Sequence, residues 1–192
     1  MSLQAKGEFA LLKKYFDKGL NYFNKALTLE PTNFKLYFSQ GLSLFQFAQE
    51  KQQKKPLLLA NKRLKTAAQL NPNYLDVWQA WSSVLCALGL TYKNPKYFLE
   101  AHEEIAQAID LCPLQKTDTL ADLYADLGSI FLHIANYSQE PNDLHNSIQA
   151  FENAVNLNKI LPTDVSRDFG LACYRFASFV NEERFYFKAN KY

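Results

Sequence analysis

The sequence predicts an all-α fold, a solenoid of antiparallel helix pairs that share one continuous core. Three observations predict it. A six-residue motif recurs at a constant interval, small and large residues alternate at helical spacing before each copy, and only six Gly and seven Pro in 192 residues leave room for long helices.

The motif comes first. Ala26-Leu27-Thr28-Leu29-Glu30-Pro31 recurs 41 residues later as Ala67-Ala68-Gln69-Leu70-Asn71-Pro72, and after another 41 as Ala108-Ile109-Asp110-Leu111-Cys112-Pro113. A fourth copy, Ala154-Val155-Asn156-Leu157-Asn158-Lys159, follows after 46 and lacks the proline. Three residues before each alanine stands a large apolar residue (Phe23, Leu64, Ile105, Phe151), and four before that a small one (Gly19, Ala60, Ala101, Ser147). Steps of three and four trace one helix face. Each copy therefore ends a helix B, closed by a proline that cannot continue it.

The stretch before each helix B carries its partner, helix A. Tyr37, Gly41 and Leu44 match Trp78, Ser82 and Leu85, then Tyr124, Gly128 and Phe131. The central small residue lets a neighbouring helix approach, and a bulky side chain there is expected to cost about 1–3 kcal/mol. Pro56, Pro95 and Pro141 fall between A and B, where proline suits a first helical turn, and Asn94 is placed to cap. The resulting units are approximately 1–33, 34–74, 75–116 and 117–161, with a C-terminal helix or partial unit over 162–192, read together as one domain spanning 1–192. Pro162-Thr163-Asp164 signals the start of that last helix, and Phe169, Cys173 and Phe176 repeat the large, small, large steps.

On these residues the chain resembles the tetratricopeptide repeat family, whose units place large, small, large residues on helix A, then small, aromatic and Ala on helix B, with Pro closing. The first unit matches through Leu3, Gly7, Gly19, Phe23, Ala26 and Pro31. The family unit has about 34 residues. Here the extra residues fall around the A–B turn, so longer helices or a longer turn are expected. Lys159 in place of proline and the longer connection from Leu114 to Leu120 are departures that bear on how the fourth unit docks. The resemblance implies a right-handed α-α superhelix whose concave groove, lined by helix A, holds a partner peptide or helix.

Aligned on the small residue of helix A, the expected groove residues are Lys35, Phe38, Leu42 and Phe45, then Asp76, Gln79, Ser83 and Cys86. Asp122, Ala125, Asp126, Ser129 and His133 follow, and finally Arg167, Tyr174 and Ser178. Phe45 reads equally well as a side chain packed between helices. A known use of the family is a Lys, Asn and Arg clamp on a carboxylate. Those places hold Phe38, Gln79, Ala125, Leu42 and Ser83, so the clamp is not expected here. An apolar groove end followed by a mildly acidic one suits a partner with apolar anchors and some basic residues.

Composition excludes other classes. Net charge is +2, from 21 basic and 19 acidic residues, which provides no broad field for nucleic acid or anionic lipid. The one basic concentration, Lys51-Gln52-Gln53-Lys54-Lys55 with Lys62, Arg63 and Lys65, reads as a solvated helix end and loop, the alternative being an acidic or phosphate contact. No apolar stretch is long enough to span a membrane and residues 1–4 lack the features of a secretory signal, so a cytoplasmic location is expected. Cys86, Cys112 and Cys173 are odd in number and widely spaced, and read as reduced core thiols. His102, His133 and His145 lie singly on different helices and read as surface or groove residues; no metal is expected. The acidic pairs Glu103-Glu104 and Glu182-Glu183 read as solvated helix faces. Without a nucleophile beside a base or a glycine-rich phosphate loop, neither catalysis nor a cofactor is expected.

The function expected is a non-catalytic scaffold or adaptor binding another protein. The alternatives are a self-associating assembly module, using aromatics in the C-terminal segment 182–189 as a homo-oligomer contact, and a secretion-type chaperone.

Overall fold

A computed structural model describes residues 2–12, 15–157 and 160–192. Among the described residues there are ten helices and no strand: α1 (Leu3–Leu12), α2 (Phe16–Leu29), α3 (Phe34–Lys51), α4 (Lys54–Leu70), α5 (Leu75–Tyr92), α6 (Lys96–Leu111), α7 (Thr117–Ser138), α8 (Pro141–Leu157), α9 (Thr163–Val180) and α10 (Glu183–Ala189). Asn158 and Lys159, where the fourth motif copy loses its proline, lie outside the described residues. The chain divides into two compact units, Met1–Lys93 and Asn94–Tyr192.

In the first unit α1 pairs with α2 and α3 with α4, and α5 packs on α4. The small, large code of the sequence is realised as direct contact between A and B. A Cβ added to Gly7 would lie 2.6 Å from the Phe23 ring, and one added to Gly41 would lie 2.7 Å from Leu64 Cγ. Gly19 on α2 reciprocates, with Leu11 of α1 2.5 Å from where its Cβ would be. Consecutive pairs are tied by a repeating hydrogen bond. Tyr37 Oη donates to the carbonyl of Pro31 at 3.0 Å, and Trp78 Nε1 to that of Pro72 at 2.8 Å. The large residue of helix A thus holds the proline that closes the preceding unit.

In the second unit α6 packs on α7, α7 pairs with α8, α8 packs on α9 and α9 pairs with α10. Gly128 lies under the Phe151 ring, 2.7 Å from where its Cβ would be, and the buried Ser147 Oγ donates to the Gly128 carbonyl at 2.8 Å. The longer connection before the fourth unit is absorbed by α7, which runs 22 residues from Thr117.

The extra length of the later units goes into helices. α3, α5 and α9 have 18 residues each, and α4 and α8 have 17. The A–B turns after α3, α5, α7 and α9 stay short because these helices end on a left-handed residue: Gln52 (φ 51°), Lys93 (52°), Gln139 (56°) and Asn181 (53°). Their backbone N–H groups donate to the carbonyls of Ala48, Gly89, Ala135 and Ala177, closing the last helical turn. Asn94 caps α6 as expected, its Oδ1 accepting from Lys96 N–H at 3.1 Å. Pro141 opens α8, whereas Pro56 is the third residue of α4.

A Cβ crowds the following carbonyl in the left-handed region, so glycine is favoured there. Gln52→Gly and Gln139→Gly are each expected to stabilise by about 1 kcal/mol. The gain is read as a higher urea midpoint at unchanged slope.

Candidate functional site

The expected groove residues of the first unit sit on α3 and α5, which are in contact. Lys35, Leu42 and Asp76 are exposed, and Phe38, Phe45, Gln79, Ser83 and Cys86 are half-buried. Phe38 stands edge-on to Tyr74 at 5.7 Å, and Phe34 meets the same ring at 5.2 Å. The neighbouring Asp76 charge pushes the Tyr74 hydroxyl pKa up. Ser83 Oγ donates to the Gln79 carbonyl at 3.0 Å, so this hydroxyl is satisfied within its own helix. The face therefore presents an aromatic and aliphatic strip, Phe38, Leu42 and Phe45, flanked by one exposed cation and one exposed anion.

In the second unit α7 and α9 are in contact. Asp122, Arg167, Tyr174 and Ser178 are exposed, while Asp126, Ser129 and His133 are half-buried. Ala125 is 6% exposed, so its expected place in the groove is corrected: its side chain packs into the core beside the more accessible Asp122 and Asp126. Arg167 pairs with Asp168 at 3.2 Å, Ser178 Oγ donates to the Arg175 carbonyl at 2.6 Å, and Tyr174 stands edge-on to Tyr186 at 5.8 Å.

The histidines act as aromatic packing groups. His133 stacks on Phe98 at 4.9 Å, and burial pushes its pKa down against the raising effect of Asp168. His102 lies 4.9 Å from Phe131, and the exposed His145 lies 5.5 Å from Phe176. Among the described residues no group of His, Cys, Asp or Glu could hold a metal ion. Cys112 and Cys173 are buried and Cys86 is half-buried; burial pushes the Cys173 thiol up to about 12.

The C-terminal aromatics divide between packing and exposure. Phe185 is 7% exposed and packs edge-on to Phe176 at 4.8 Å, Tyr192 stacks on Phe169 at 4.4 Å, and Lys188 forms an ion pair with Glu152. Only Phe187, at 74%, is strongly exposed among the three aromatics of α10. The large, small, large face of α9 needs a cover, and α10 supplies it.

Two arginines tie neighbouring helices: Arg63, which the sequence offered only as part of a solvated basic run, and Arg175, which carried no signal. Arg63 on α4 lies over the Tyr37 ring at 5.7 Å and donates to Asn24 Oδ1 on α2 at 3.4 Å. Arg175 on α9 donates to Asn136 Oδ1 on α7 at 2.6 Å and to the Ala135 carbonyl at 3.4 Å. A lone arginine within a helix carries no sequence signal that separates this role from solvation.

A tetratricopeptide repeat model matches residues 2–33. MamA from Desulfovibrio magneticus RS-1, residue 41 to the end, superposes with a TM-score of 0.69 at 15% identity, covering 98% of this chain and 92% of MamA. Residues 2–33 thus match the tetratricopeptide repeat family, and the chain as a whole shares the helical-repeat fold of these proteins. The sequence match falls on the first repeat, whose helices of 10 and 14 residues are the shortest pair before α10; the later helix pairs are longer. Other tetratricopeptide structures are similar. PilF of Pseudomonas aeruginosa has a TM-score of 0.62 at 16% identity, covering 98% of this chain and 74% of PilF. YrrB, described as a TPR protein with an unusual peptide-binding site, has a TM-score of 0.59 at 14% identity, covering 97% of this chain and 89% of YrrB. No curated protein sequence matches the chain. At these identities the likeness establishes the α-α solenoid fold class. The fold supports a protein–protein interaction scaffold in general, and tetratricopeptide proteins are typically non-catalytic. No helix among the described residues is long and apolar enough to cross a membrane.

Proposed function

We propose that this chain is a non-catalytic, cytoplasmic adaptor whose helix A faces hold a peptide or helix of another protein. The observation that carries the reading is the accessible strip on α3, Phe38, Leu42 and Phe45, which is partly open to solvent although the apolar Leu36, Leu44 and Phe47 on the same helix are buried. In the second unit the exposed Asp122 and half-exposed Asp126 on α7 offer acidic side chains suited to basic residues of a partner. The single-domain reading of residues 1–192 belongs to the same proposal, and a secretion-type chaperone is a narrower form of it.

The test is affinity capture of a partner with the whole chain, followed by competition with Leu42→Lys plus Asp122→Lys. Both positions are exposed, so the variant keeps its fold. Loss of the captured partner by about tenfold or more in affinity is expected; undiminished binding removes the groove assignment. Self-association is the second reading, favoured by the exposed Phe179 and Phe187. Light scattering on wild type and Phe187→Ser separates it from the first: a monomer in both excludes it.

A further inference from the structure

The A–B turn end of the first unit carries two adjoining recesses that no groove residue lines. One, about 340 Å³, is lined by Ala48, Gln49, Gln52, Gln53, Leu57, Ala87 and Thr91. The other, about 520 Å³, is lined by Tyr15, Phe16, Asp17, Lys18, Phe47, Lys51 and Gln53. Gln53 borders both, so they form one surface. Its rim is basic: Lys18 and Lys51 line it beside the carboxylate of Asp17, and the exposed Lys54, Lys55 and Lys93 follow closely in the chain after the lining residues Gln53 and Thr91. Lys54 lies over the Tyr92 ring at 5.0 Å, beside Thr91 in the smaller recess.

Two of these lysines are badly placed for stability. Lys54 and Lys55 occupy the first turn of α4, which has neither an acidic residue nor a side-chain cap. Cations there oppose the positive end of the helix dipole. A purely structural solution would put Asp or Glu in that turn.

We propose that this surface binds an acidic, extended protein segment that seats one aliphatic side chain in the recess over Ala48, Leu57 and Ala87. Carboxylates of the segment complement the lysine rim, and the open N–H groups at the start of α4 favour the same sign of charge. The small apolar floor selects a side chain of leucine size. A nucleic acid fits less well: the chain's net charge of +2 gives little long-range attraction for a polyanion. None of the lining residues is a groove candidate, so Leu42→Lys plus Asp122→Lys leaves the lining unchanged, and its failure is distinguishable from failure of the groove assignment.

The probe is a short fluorescent peptide of Asp and Glu with one central leucine, read by anisotropy. Controls are the same peptide with central serine, its all-lysine counterpart, and a thymidine oligonucleotide of equal length. The leucine peptide is expected to bind best and to weaken in about 0.5 M salt, where screening is short-ranged. Lys51→Glu/Lys54→Glu/Lys55→Glu is expected to lose about tenfold or more, while its melting temperature does not fall. Ala87→Phe, or Gln49→Trp should the former misfold, is expected to abolish the preference for leucine over serine. The proposal is overturned if the leucine peptide does not bind, if the triple variant binds it as wild type does, if serine serves as well as leucine, or if the oligonucleotide binds more tightly than the peptide.

Discussion

Phe151→Ala is expected to destabilise the second unit by about 3–5 kcal/mol, the largest effect of any single truncation in it. Phe151 is fully buried, stacks on Phe169 at 5.3 Å, and fills the space over Gly128 that brings α7 and α8 together. Its removal leaves a cavity bounded by residues tied in place, since Ser147 Oγ bonds the Gly128 carbonyl and Tyr192 covers Phe169 from the far side. Urea denaturation followed by circular dichroism measures the loss. A companion substitution tests the cause. Gly128→Ala alone places a Cβ 2.7 Å from the ring and is expected to cost about 1–3 kcal/mol, despite alanine's better helix propensity. In the Phe151→Ala background the clash is gone and the same change becomes neutral or favourable. Additive losses in the double variant would show that the two residues do not share this contact.

Gln40→Met is expected to raise stability by about 1–3 kcal/mol. The Gln40 side chain is 0% exposed, and neither Nε2 nor Oε1 has a hydrogen-bond partner among the described residues. It stands on the core stripe of α3 between Leu36 and Leu44, both buried. An amide there gives up its bonds to water and regains none from the described residues, whereas a methionine of similar length loses nothing on burial. For a chain of this size each kcal/mol raises the melting temperature by about 2–4 °C. A melting temperature that falls instead would mean that the amide is satisfied and holds the helix in place.

Both predictions bear on what could be read in advance. Phe151 and Gly128 were legible because the size of a side chain is written in the sequence and its helical spacing says which sizes must meet. Gln40 was equally available, at four-residue steps from Leu36 and Leu44, but a polar side chain on an apolar stripe reads as solvated until burial is measured. The left-handed ends at Gln52, Lys93 and Gln139 carried no signal, since none is glycine, so whether the extra residues lengthened the helices or the turns stayed open. The candidate groove was legible as a register along helix A, but Ala125 shows the limit: a step of one residue on a helix moves a side chain by about 100°, from the accessible face into the core.

By itself the sequence determined the helix pairs, their order and the small residues at their crossings, because these depend on local spacing and on volumes that each residue carries with it. The tertiary structure alone decided that Phe185 is covered while Phe187 is exposed, that His133 is a stacking group, and that the lysines of the α3–α4 turn surround two recesses. Exposure and charge environment depend on residues distant in the chain, and no local pattern records which of them will be near.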